Sequence, residues 1–131
     1  MKLIHLNNNF IAQIPNNWDV KITQDVISLF EPLNGLGVIQ FSFYKVQNAD
    51  SLNLTEELDE YLKDKYGNIN ANLINDYAYF NIVSFSGIFW RYWLLRKAGN
   101  IIFISYNCAK EDINKEDDTI DNIIRSIEIQ K

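Results

Sequence analysis

At 131 residues, 47% hydrophobic and 14% aromatic, the chain can bury about two-thirds of its unfolded surface and is unlike a disordered or linker sequence. Twelve Lys and Arg against seventeen Asp and Glu leave a net charge of −5, which argues against a phosphate-neutralising nucleic-acid surface and against an anionic membrane surface as partner. Cys108 is the one cysteine, so an internal disulfide is excluded.

Residues 2–6, Lys-Leu-Ile-His-Leu, read as a frayed opening segment. They are too short for a signal-peptide core, and the Asn7-Asn8-Asn9 run ends them. No stretch approaches the length of apolar residues a membrane span needs, so the expected location is the cytoplasm. Residues 10–14 predict a short strand stopped by Pro15, which cannot donate to a ladder. Pro15-Asn16-Asn17 is turn chemistry, and Trp18 is expected to fold back over one end of the core. Residues 20–23 and 26–30 are short β-prone runs, and Pro32-Leu33-Asn34-Gly35 signals a turn. Residues 36–46 alternate well, with Ile39, Phe41 and Phe43 on one face and Gln40, Ser42 and Tyr44 on the other.

A helix is predicted over 54–66. Leu54, Leu58 and Leu62 recur every four residues, Asn53 or Thr55 can cap its start and Gly67 follows its end. The Asn-rich residues 67–75 read as a loop. Residues 76–84 return to β, with Ala78, Phe80 and Ile82 opposite Tyr77, Tyr79 and Val83. A turn or bulge is expected over 84–87. A second helix is predicted over 116–127, where Ile120, Ile123, Ile124 and Ile127 form one stripe and Glu116, Asp117 and Asp118 sit at its positive N-terminal end.

Residues 89–108, FWRYWLLRKAGNIIFISYNC, are the most informative stretch. They predict a β-hairpin around Gly99-Asn100, a pair that tolerates the positive φ of a tight turn. With those two residues as the loop, Lys97 faces Ile102, Leu95 faces Ile104, Trp93 faces Tyr106 and Cys108 faces Arg91. Trp90, Tyr92, Leu94, Ile101 and Phe103 then point the other way. A strand wet on one side would alternate apolar with polar, and this one does not. Both faces must therefore be covered. The expected fold class is α+β: one domain over 1–131, with a six- to seven-stranded, mainly antiparallel sheet and two amphipathic helices packed on it.

The order of these elements resembles the PsbP-like α+β superfamily. The residues that carry the resemblance are Ile14-Pro15-Asn16-Asn17-Trp18 after the opening strand, the aromatic run Arg91-Tyr92-Trp93-Leu94-Leu95, the turn and returning strand 99–106, and the closing helix 120–127. The resemblance implies the fold. For function it implies protein binding, with some bacterial relatives associated with secreted-toxin systems as immunity proteins or effector chaperones. That is analogy at the level of fold.

Single residues carry little chemistry. His5, the one histidine, has no nucleophile or orienting carboxylate that the sequence places beside it. Cys108 opposite Arg91 could favour a thiolate, against the commoner buried, inert cysteine. Asp112, Asn114, Glu116 and Asp118 imitate a calcium loop, but Asp117 stands where that loop needs Gly and Ile123 where it needs Glu. The acidic runs 56–64 and 111–121 read as solvated helix faces, with docking of a basic partner as the lesser reading. Tyr44, Tyr77, Tyr79, Trp90, Tyr92 and Phe103 are expected on the sheet face opposite Ile39, Phe41 and Phe43. Tyr and Trp are residues that interfaces favour, while a helix lying over this face would bury them instead. These patterns suggest a non-enzymatic protein-binding domain with no cofactor or metal. The residues expected to bind a partner, with a basic toxin or effector as its most concrete form, are Tyr44, Tyr79, Trp90, Tyr92, Glu56, Glu57 and Glu60. The alternative is a module for a small apolar ligand, and third is an enzyme with an unmarked site.

Overall fold

The computed structural model describes residues 1–130. In chain order its elements are β1 Lys2–His5, β2 Phe10–Ile14, β3 Asp19–Thr23, β4 Val26–Phe30, β5 Gly37–Lys45, α1 Leu54–Tyr66, β6 Asn72–Ile74, β7 Tyr77–Val83, β8 Ile88–Lys97, β9 Asn100–Ala109, α2 Asp117–Arg125 and β10 Glu128–Ile129. Among the described residues, seven strands form one antiparallel sheet in the order β3-β4-β5-β9-β8-β7-β6, and a small sheet follows the order β1-β2-β10.

The large sheet is covered on both faces, which is why β8 and β9 are apolar on both sides. On one face α1 inserts Leu54, Leu58 and Leu62 against Ala78, Tyr92, Leu94 and Ile101. On the other, α2 and the small sheet bring Ile120, Ile123, Phe10 and Ile14 onto Ile39, Phe41, Trp93 and Ile104. Trp18 closes one end of that second core and is buried, as its turn predicts. The start of α1 is held by Asn53, whose side chain accepts from the Glu56 N–H at 3.2 Å, and its end by Gly67 at φ 71°.

The central hairpin turns one residue earlier than Gly99-Asn100. Lys97 pairs with Asn100, and Ala98 and Gly99 form the loop with φ of 50° and 77°. A tight hairpin needs positive φ at both loop positions, and here Ala98 accepts it while Asn100 joins the ladder. The register moves by two, so Leu95 faces Ile102, Trp93 faces Ile104 and Arg91 faces Tyr106. An even shift leaves each side chain on its expected face. It does separate Cys108 from Arg91: Cys108 lies opposite Phe89.

Three further expectations change. Residues 2–5 are not frayed but form β1, paired with β2. The Asn-rich loop contains β6, an edge strand with every side chain exposed and therefore without a burial pattern to read. Tyr77 and Tyr79 lie on the face of Trp93 and Ile39, not with Tyr92, because Tyr79 pairs with Trp93. The connection between β7 and β8 sets that parity, placing odd-numbered residues opposite odd ones.

Candidate functional site

On the α1 face the sheet aromatics are engaged by the helix above them. The Tyr92 hydroxyl shares a 2.6 Å hydrogen bond with that of Tyr66, and its ring stacks on Trp90 at 5.7 Å. Trp90 is half-buried beneath the Lys65 ammonium, 5.3 Å from the ring centroid. Tyr92 is therefore a core residue on this face, not an open contact. Tyr44 differs. It is 45% exposed, at the margin of α1, where it meets Tyr61 edge-on at 5.9 Å. Glu56 and Glu60 are exposed and Glu57 half-buried, so this part of the acidic run is a solvated helix face.

The second acidic run is largely consumed within the molecule. Arg91 is only 8% exposed and lies against the rings of Trp93 and Tyr79, 4.5 and 5.3 Å from their centroids. Its Nε donates to the Tyr79 hydroxyl at 2.8 Å, and its two terminal nitrogens donate to Asp117 at 3.0 Å and Asp121 at 3.2 Å. Neighbouring Glu116 accepts from the Tyr106 hydroxyl at 2.7 Å and from the Gly37 N–H at 3.0 Å. These carboxylates fasten α2 to the sheet and correct the expectation of a purely solvated face. They also account for Tyr79, whose hydroxyl serves Arg91.

His5 is exposed at the end of β1, and burial pushes the Cys108 thiol up, away from a reactive thiolate. Among the described residues no three His, Cys, Asp or Glu side chains gather to hold a metal ion. No helix among them is long and apolar enough to cross a membrane.

Burial also holds the phenols of Tyr106 and Tyr92 above their ordinary 10.0, helped by the hydrogen bonds to Glu116 and Tyr66. A raised folded-state pKa leaves its stability intact below the unfolded value and removes it as pH climbs beyond. The melting temperature should thus fall as pH rises past about 10, and more steeply than in Tyr106→Phe. Thermal unfolding followed across that range checks it, and parallel profiles would contradict the assignment.

The open surface lies at one end of the sheet. A cleft of about 640 Å³ runs between the β1–β2 connection, the β3–β4 loop and the end of β5. Leu6, Ile22, Ile27, Phe43 and Tyr44 supply apolar lining, and Asp25 with Asn7 supplies polar edges. Ile22 projects into solvent at 64% exposure. Of the residues expected from sequence to bind a partner, only Tyr44 borders this cleft, with Glu57 near its Tyr61 neighbour. Ile22 and Phe43 were not legible as site residues, because two loops and a strand end remote in sequence create the cleft. Their one signal was Val20 and Ile22, apolar residues in a run that turned out to be an edge.

No protein-family model matches the chain, and no curated protein matches it in sequence. Solved structures do. A crystal structure of a protein from Bacteroides thetaiotaomicron VPI-5482 matches 93% of this chain with a TM-score of 0.64 at 14% identity. This chain spans only 45% of that protein's length. The solution structure of cyanobacterial PsbP (CyanoP) from Synechocystis sp. PCC 6803 matches 92% of this chain and 86% of its own, with a TM-score of 0.56 at 11% identity. The fold is PsbP-like.

Proposed function

We propose that this chain is a non-enzymatic protein-binding domain of the cytoplasm that captures a basic partner, in the manner of a toxin-immunity protein or effector chaperone. The observation that carries the reading is the cleft at the end of the sheet, apolar at Leu6, Ile27 and Phe43 and polar at its edges, bordered by exposed Tyr44 and continuous through Tyr61 with the acidic face of α1. Apolar floor, aromatic margin and like-charged flank form the composition of a surface that is steered by charge and held by desolvation. In this reading Glu56, Glu57 and Glu60 accelerate encounter, while Tyr44 and Ile22 set residence time.

The test begins with capture and identification of the partner and continues with kinetics on both purified proteins. Reversing Glu56, Glu57 and Glu60 to Lys should slow association and flatten its salt dependence, leaving dissociation nearly unchanged. Tyr44→Ala should speed dissociation, costing about 2 kcal/mol if the residue is a hot spot. Wild-type kinetics in both variants would remove this surface from the argument. A small apolar ligand is the second reading, favoured by a cleft volume of about 640 Å³, within the usual range for such sites. Native mass spectrometry of freshly isolated protein separates the two, since a retained small molecule is expected only of the second.

A further inference from the structure

The free edge of the large sheet carries its own recognition code. β3 is the outermost strand, pairs only with β4 among the described strands and exposes all five of its residues. The loop Gln24-Asp25 closes on the Thr23–Val26 pair, and a two-residue loop makes its closing pair a hydrogen-bonded one. Alternation then turns the backbone groups of Thr23, Lys21 and Asp19 toward β4, and those of Val20 and Ile22 outward. A second β3 arriving antiparallel can meet these outward groups in three registers, of which the Lys21-centred one engages Val20 and Ile22 together and each of the others engages one of them. Centred on Lys21, it sets Lys21 against Lys21 of the other copy. Centred on Ile22, it sets Asp19 against Asp25. Centred on Val20, it sets Asp19 against Lys21 twice, at the sites where facing side chains approach most closely.

We infer that the chain self-associates through β3 into a two-fold antiparallel dimer centred on Val20. The pairing joins two seven-stranded sheets edge to edge, with the same patch used on both copies. Lys21 disfavours the Lys21-centred register by like charge and favours the Val20-centred one by opposite charge. A central lysine that would otherwise only discourage edge pairing here selects one geometry. The overlap is short, so the dimer belongs to high protein concentration and low salt.

Sedimentation equilibrium of the full chain over a concentration series tests this. The wild type should show a monomer–dimer equilibrium that weakens with added salt. Val20→Pro should abolish the dimer, since it removes an outward-facing N–H. Lys21→Asp keeps every backbone group and should weaken the dimer by about tenfold or more, as two attractive pairs become two repulsive ones. The double swap D19K/K21D should restore it, a result that no general loss of folding can imitate. A monomer at every concentration overturns the proposal. So does a dimer indifferent to Lys21→Asp, or one that the double swap fails to restore.

Discussion

Trp93→Ala is expected to cost about 3–5 kcal/mol of folding stability, the usual range for truncating a large buried aromatic. Trp93 is 2% exposed and sits in the core between the sheet and α2. It stands opposite Ile104 in the central hairpin and meets the Tyr79 ring at 5.5 Å. The truncation leaves a cavity walled by β-strands that are hydrogen-bonded on both sides, so little of it can collapse. It also removes one of the two rings that Arg91 packs against, its guanidinium lying 4.5 Å from the Trp93 centroid. Denaturant unfolding should show a lower midpoint with an unchanged slope. A loss below about 1 kcal/mol would mean that the site refills, which the packing around it argues against.

Gly37→Ala is expected to cost about 1–3 kcal/mol, toward the upper end, although it adds only one methyl group. A Cβ at Gly37 would fall 2.6 Å from the Tyr106 ring and closer still to the carbonyl oxygen of Asn107. Neither can withdraw easily. Asn107 belongs to the ladder partner of β5, and the Tyr106 hydroxyl donates to Glu116, which also accepts from the Gly37 N–H. Relief of the clash therefore loosens the same carboxylate that fastens the start of α2. Chemical denaturation of Gly37→Ala beside Gly67→Ala is informative, because a Cβ at Gly67 meets no neighbour within 4 Å and strains only its φ of 71°. A loss at Gly37 no larger than that at Gly67 would show that the Tyr106 and Asn107 contacts relax at little cost.

Much of the fold was legible where the signal was local. The stripe of Leu54, Leu58 and Leu62 marked α1 at its observed limits, and of the two caps the sequence offered, Asn53 and Thr55, the structure uses Asn53. The run from Phe89 to Cys108 was apolar on both sides, and that demanded cover on both faces whatever the register. The short strands β6 and β10, with no buried position, left no such mark, whereas β3, equally exposed, showed only as a β-prone run. Burial periodicity is the signal from which strands are read, and an edge strand without burial does not carry it.

The candidate site was less legible because its parts meet only in three dimensions. Tyr79 and Tyr92 look alike in sequence, yet one serves Arg91 beneath α2 and the other joins Tyr66 beneath α1. The connection before β8 decides which face Tyr79 takes, since one residue more or fewer would reverse the whole strand. The acids 116–121 look like any solvated helix start until the sheet sets Arg91 and Tyr106 side by side under them. The amino-acid sequence by itself determined the two helices, the central hairpin and the need to bury both faces of the sheet, since these follow from periodicity and turn chemistry within short windows. Only the tertiary structure decided which aromatics are core and which are surface, what the acidic run holds, and where a cleft opens. Those depend on strand parity and on loops brought together from distant parts of the chain.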